Sequence, residues 1–138
     1  MTLQNKNTFL YFAYAGNLNK QQMRERCPAC TPKFSAVLPN YKRIFAGWSR
    51  TWHGGVATIK PYRGEKVQGA VYEITEPGMR QLEKFDVGFT RLNVTVFDED
   101  NVSHPAVALV MSGQITEALP SKEYAAIIKQ GQRDWATS

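Results

Sequence analysis

A chain of 138 residues, 43% hydrophobic and 21% charged, has the size and make-up of one ordinary globular domain, which excludes an intrinsically disordered segment. No apolar run approaches the roughly 18 residues of a membrane-spanning helix. The net charge of +5 comes from scattered basic residues rather than a dense run, which argues against a nucleic-acid partner and suits a small anionic one.

The first seven residues are polar, and the apolar run that follows is too short for a signal peptide, so a cytoplasmic location is expected. Residues 8–14 are dense in aromatic and apolar side chains and read as a buried strand. Ala15-Gly16-Asn17 reads as a tight loop. Asn19 is placed to cap a short helix that Pro28 stops. Cys27-Pro28-Ala29-Cys30 has the spacing of a redox dithiol or of half a zinc site. No second pair accompanies it, His53 and His104 stand alone, and the pair follows a helix instead of opening one. Both cysteines are therefore read as reduced structural thiols that an oxidant would join, and no metal site is expected.

Residues 33–45 read as extended, broken at Pro39-Asn40. A strand over 56–59 is closed by Pro61, residues 62–65 form a turn, and 67–74 form another strand. Glu76-Pro77 opens a helix with Met79, Leu82 and Phe85 on one face, ending near Asp86-Val87-Gly88. Residues 90–98 alternate as a half-buried strand, and the acidic cluster Asp98-Glu99-Asp100-Asn101 is a solvated turn. Residues 106–111 form a last strand. Ser121 caps a final helix that carries Tyr124, Ile127 and Ile128 on one face, with Gly131 near its end. No repeat or linker divides the chain, so residues 1–138 are read as one domain. The strands follow one another too closely for helical crossovers between all of them, so the expected class is α/β (α+β) with antiparallel or mixed pairing.

Two places could carry chemistry. The loop Tyr14-Ala15-Gly16-Asn17-Leu18 joins a buried strand to a helix start, and its small residues let an anion approach successive N–H groups. Turn formation alone would also explain it, and Asn17 fits either role. Among the 12 acidic residues, Asp86 stands out because Phe85, Val87, Gly88 and Phe89 frame it. An apolar surround disfavours the charged carboxylate and makes it a better base. A helix-ending Asp is the plain alternative.

The ordered motifs Tyr11-Phe12-Ala13-Tyr14-Ala15-Gly16-Asn17-Leu18, Met23-Arg24-Glu25-Arg26-Cys27-Pro28, Leu38-Pro39-Asn40-Tyr41, Gly54-Gly55-Val56-Ala57-Thr58-Ile59 and Val67-Gln68-Gly69-Ala70-Val71-Tyr72 resemble those of γ-glutamyl cyclotransferases. Leu82-Glu83-Lys84-Phe85-Asp86, Arg91 and Pro120-Ser121-Lys122-Glu123-Tyr124 continue the match in the same order. The resemblance implies a small mixed β-barrel flanked by helices. It implies an enzyme that cyclises a γ-glutamyl amine or amino acid to 5-oxoproline with release of the amine, without a cofactor. Asp86 then stands at the position of the catalytic acid/base. Tyr14, Ala15, Gly16, Asn17, Leu18 and Tyr124 stand at substrate-binding positions. Arg91 either supports the pocket or pairs on the barrel, and Glu83 ranks below Asp86 as a base. The implied partner is a small γ-glutamyl molecule, with no nucleic acid or membrane, and the assembly is a monomer or homodimer. Two positions depart from the family pattern. Its Gly-Ser becomes Ala15-Gly16, which removes a hydroxyl and a residue at ease with positive φ. Its glutamate becomes Asp86, shorter by one methylene. These departures leave a second reading, a small-molecule-binding protein on the same fold with weak or no catalysis.

Overall fold

The computed structural model describes residues 7–113 and 115–136. Most of the polar N-terminal segment read above lies outside them. Five strands form a closed barrel: β1 (Thr8–Ala13), β2 (Thr31–Ser49), β3 (Gly54–Thr75), β4 (Phe89–Phe97) and β5 (Ser103–Met111). The order around the barrel is β1-β3-β2-β4-β5. All neighbouring strands pair antiparallel except β1 and β5, which close the barrel in parallel through Tyr11 and Val107. Three helices flank it: α1 (Lys20–Arg26), α2 (Glu76–Glu83) and α3 (Lys122–Trp135). This is the mixed barrel with helices that the motif resemblance implied. No helix among the described residues is long and apolar enough to cross a membrane.

The apolar run at the start of the chain follows from the position of β1. Phe12 points into the barrel with Leu38, Val71, Val96 and Ala108. Tyr11 and Ala13 point outward and are covered together with Met23 of α1 and Met79 and Leu82 of α2. A strand buried on both faces needs no polar alternation. β4 shows the contrary pattern, with Val94 and Val96 buried and Arg91, Asn93 and Thr95 between them less so, because one of its faces meets water.

The long hairpin β2–β3 departs from the sequence expectation. Three extended pieces were expected where the chain makes two strands of 19 and 22 residues. The expected breaks survive as irregularities inside them. Pairing passes from Tyr41 with Pro61 to Pro39 with Lys66, so residues 62–65 bulge out opposite Asn40 alone. Asn40 takes φ 63° and its side-chain oxygen accepts from the Gly64 N–H. Turn-forming residues here produced a bulge because ladder pairing on either side was strong enough to bridge it.

The helix starts are as expected. The Asn19 side chain accepts from Gln22 N–H, and Ser121 accepts from Tyr124 N–H. Thr75 caps α2, with Pro77 in its first turn. α2 ends three residues short of Asp86, and Gly131 lies in α3 about one turn before its end.

The cysteines require a correction. Cys27 and Cys30 are joined in a disulfide rather than kept as free thiols. The chain turns directly after α1, with Cys30 N–H donating to the Cys27 carbonyl at 3.0 Å. That turn brings the two Cα atoms to 5.5 Å, within disulfide reach.

Arg91 resolves to its second expected role. It forms a fork of ion pairs with Glu76 (2.6 Å) and Glu83 (2.8 Å) on the outer surface, which also removes Glu83 as a base. These groups are partly exposed, and solvent-screened pairs contribute little. Arg91→Ala is therefore expected to change Tm by less than roughly 3 °C in a calorimetric scan.

Candidate active site

A cavity of about 670 Å³ opens at one end of the barrel. The loop after β1, one face of α1 through Gln22 and Arg26, the β2–β3 tip, the turn between α2 and β4, the end of β5 and the first turn of α3 surround it. Of the residues singled out from sequence, Tyr14, Ala15, Gly16, Asn17, Asp86 and Tyr124 all line it. Leu18 does not. Its side chain is buried in the outer core, and its carbonyl accepts from the Trp135 indole N–H at 2.9 Å. Leu18 anchors the loop instead of facing a ligand.

Asp86 reaches the cavity because α2 stops early. Its N–H donates to the Glu83 carbonyl, and its own carbonyl accepts from Phe89 N–H at 3.0 Å. Gly88, at φ +89°, closes this turn with a backbone conformation that side chains disfavour. The Gly88 carbonyl is held in turn by the Ser112 N–H and hydroxyl. Asp86 is half-buried and is the only carboxylate lining the cavity among the described residues. Burial raises its pKa above the ordinary aspartate value, and the nearby Arg26 guanidinium partly opposes the rise. Its surroundings therefore give what a proton-transfer group needs: an accessible carboxylate with strengthened basicity.

The loop opposite is a single 3-10 turn, Gly16–Leu18, that leads into α1. Leu18 and Asn19 donate to the Ala15 and Gly16 carbonyls, so the N–H groups of Ala15, Gly16 and Asn17 precede the first internal bonds of the turn. Ala15 takes φ −148°. That φ is not left-handed, so the position does not demand glycine for a positive φ. At Gly16 an added Cβ would lie 2.9 Å from the Gln22 side-chain nitrogen and 3.4 Å from the Tyr124 ring. The Gln22 amide thus crowds the space into which a serine would project.

Asn17 is a hub more than a free contact. Its amide donates to the Tyr11 hydroxyl at 2.9 Å, and its side-chain oxygen accepts from Arg26 (3.2 Å) and Gln22 (3.4 Å). Tyr14 donates its hydroxyl to the Leu109 carbonyl. The Tyr124 hydroxyl accepts from the Ala57 N–H at 3.0 Å, which leaves its own proton to donate. Burial raises the pKa of Tyr11, Tyr14 and Tyr124, and the Asp86 charge adds to the rise in each. All three remain neutral donors at physiological pH.

Sequence reasoning missed Gln22, Arg26, Arg43 and Trp52. Arg26 sat inside a quoted motif, yet it was read only as part of the scattered charge. It lies over the Phe85 ring at 4.6 Å and so links α1 to the Asp86 turn. Arg43 is mostly buried and donates to the Tyr14 carbonyl at 3.0 Å. Trp52 packs on Tyr124 with ring centroids 5.3 Å apart. A basic residue on an otherwise inward-facing strand was the one available signal for Arg43.

Comparison with known proteins agrees with this geometry. Residues 11–135 match the family model described as gamma-glutamyl cyclotransferase, AIG2-like. The gamma-glutamylcyclotransferase of Bos taurus is 28% identical over 139 residues, covering 95% of this chain and 73% of the relative. That of Homo sapiens is also 28% identical, over 142 residues, covering 97% and 75%. A solved gamma-glutamyl cyclotransferase structure superposes with a TM-score of 0.88 at 28% identity, over 94% of this chain and 80% of that one. With the fold and nine-tenths of the sequence in agreement, the chain belongs to the gamma-glutamyl cyclotransferase, AIG2-like family.

Proposed function

We propose that the protein cyclises a γ-glutamyl amine or amino acid to 5-oxoproline and releases the amine, with Asp86 as the acid/base. The observation that carries this reading is a half-buried carboxylate of raised pKa, the only one lining the cavity among the described residues, facing a cavity that Ala15, Gly16 and Asn17 also line.

Asp86 takes a proton from the substrate's α-ammonium. The freed nitrogen attacks the γ-carbonyl carbon, and the carbonyl electron pair moves onto oxygen. N–H groups of the 15–17 loop receive that oxyanion. The oxyanion collapses and the bond to the leaving nitrogen breaks as Asp86 returns the proton to that nitrogen. Asp86 then takes the second proton from the ring nitrogen, which leaves the neutral lactam, and passes it to the departing amine, which leaves as an ammonium. Ring closure is intramolecular, so the main demands are folding the substrate, one base and charge stabilisation. Tyr124 supplies a neutral hydroxyl donor, and the Gln22 amide offers a donor beside Gly16 where the family has a serine hydroxyl. The reading is tested by incubating the purified protein with a panel of γ-glutamyl compounds and measuring 5-oxoproline by mass spectrometry. No product from any member would refute it.

Arg43 acts as a positioning residue. In a trans peptide the C=O and the following N–H point in opposite directions. Holding the Tyr14 carbonyl on Arg43 therefore sets the direction of the Ala15 N–H. Arg43→Ala is expected to lower kcat/KM about tenfold, mostly through kcat, with Arg43→Lys recovering part of the loss. An unchanged kcat, or a loss entirely in KM, would contradict this role.

A non-catalytic binding protein is the second reading, favoured by Asp86 in place of glutamate. Ligand binding without turnover, together with 5-oxoproline appearing only in Asp86→Glu, would select it.

A further inference from the structure

The mouth of the cavity is chemically unlike its floor. Six large apolar side chains stand out as exposed among the described residues, and three of them, Trp48, Phe85 and Val87, line this one opening. Trp48 is 68% exposed and Val87 is 87% exposed, so neither is held there by the core. Water-facing apolar groups gathered around a pocket mark a surface that a ligand covers. They come from two separate segments, the β2–β3 tip and the α2–β4 turn, that both line this cavity. Arg50 and Lys84 stand in the same lining, and no carboxylate other than Asp86 does. An incoming group thus meets apolar faces and positive charge.

The γ-glutamyl half of a substrate must reach Asp86 and the 15–17 loop, so the leaving amine must lie in the mouth. We infer that the preferred leaving amine carries a large aromatic or aliphatic side group beside a carboxylate, as in a γ-glutamyl aromatic amino acid. The apolar group packs between Trp48, Phe85 and Val87, and the carboxylate faces Arg50 and Lys84. A lysine-type leaving amine carries a free ammonium beside its carboxylate, which meets like charge there, and a small one leaves the apolar rim uncovered. This inference rests on the cyclotransferase reading and specifies its substrate.

The test compares kcat/KM of the full chain for γ-glutamyl-phenylalanine, γ-glutamyl-alanine and ε-(γ-glutamyl)-lysine. The phenylalanine compound is expected to exceed the alanine compound about tenfold, the usual worth of one well-covered apolar group, and to exceed the lysine compound by more. In Trp48→Ala, and separately in Val87→Ala, the phenylalanine-to-alanine ratio is expected to fall severalfold. Both side chains are exposed, so folding is not at stake. A ratio near one in the parent protein, or a ratio unmoved by both variants, would overturn the inference. If no compound is turned over, the cyclotransferase reading fails on its own. The dissociation constants of γ-glutamyl-phenylalanine and γ-glutamyl-alanine, read by calorimetry, then decide the selectivity of the mouth, and equal constants overturn it.

Discussion

Asp86→Asn is expected to lower kcat for 5-oxoproline formation by about 10²–10⁴-fold, the usual worth of a positioned acid/base. The amide keeps the shape of the carboxylate but can neither take the α-ammonium proton nor return one. KM should change far less, because the loop and the tyrosines proposed to hold the γ-glutamyl group are intact. The pH profile should show the same group. The raised pKa of Asp86 places the acidic limb of kcat/KM above the ordinary aspartate value, and that limb should vanish from the residual activity of the variant. Stability should move the other way. A carboxyl whose pKa is raised by folding binds its proton more tightly in the native state. Its contribution is therefore favourable at low pH and is lost as pH climbs from the unfolded value through the folded one. Asn carries no such charge, so Asp86→Asn should raise Tm at neutral pH and should not at pH 3. Calorimetry at the two pH values checks this, and a variant less stable at neutral pH would deny that Asp86 sits in a desolvating site.

Gly131→Ala is expected to destabilise the protein by about 3 kcal/mol, lowering Tm by roughly 10 °C. A Cβ at this position would lie 2.5 Å from the Asn19 nitrogen and 2.6 Å from the Leu18 carbonyl carbon. Those atoms are backbone and cannot swing aside. In an exposed helix the same change would help by nearly 1 kcal/mol through better helix propensity, so the clash must outweigh that gain. α3 has to move away from the loop, and the contacts that tie them together move with it. These are the Asn19 amide on the Ile127 carbonyl, the Lys20 N–H on Asp134 and the Trp135 indole on the Leu18 carbonyl. Because α3 also carries Tyr124 and the loop carries the 15–17 backbone, kcat/KM should fall with stability. Denaturant titration beside steady-state kinetics separates the two effects.

Much of the fold was legible in the residues themselves. The double-sided burial of β1 was written in its unbroken apolar run, the outward face of β4 in its alternation, and the starts of α1 and α3 in Asn19 and Ser121. The motif order of 11–18, 82–86 and 120–124 brought Asp86, the loop and Tyr124 to one site before any contact was known. Local turn chemistry was less reliable. Asn40 and residues 62–65 read as ends of strands because they are turn formers, yet they became a bulge within a continuous hairpin. The cysteines were misjudged for a related reason: spacing says which atoms are near in the chain, not whether the turn between them points the two sulfurs together.

What the sequence alone determined is most of the elements and the residue types proposed to supply a base, a backbone anion site and a hydroxyl donor. Those depend on periodicity, capping and motif order, which are local. What only the tertiary structure decided is which polar groups have partners and which are free. Arg91 and Glu83 are spent on each other outside the barrel, Asn17 is engaged by Tyr11, Gln22 and Arg26, and Asp86 is the lone carboxylate at the cavity among the described residues. Even these pairs, close in the chain, depend on how the elements pack. The Tyr14 hydroxyl on the Leu109 carbonyl and the Trp135 indole on the Leu18 carbonyl join residues 95 and 117 positions apart through barrel closure and the docking of α3, which no local signal contains.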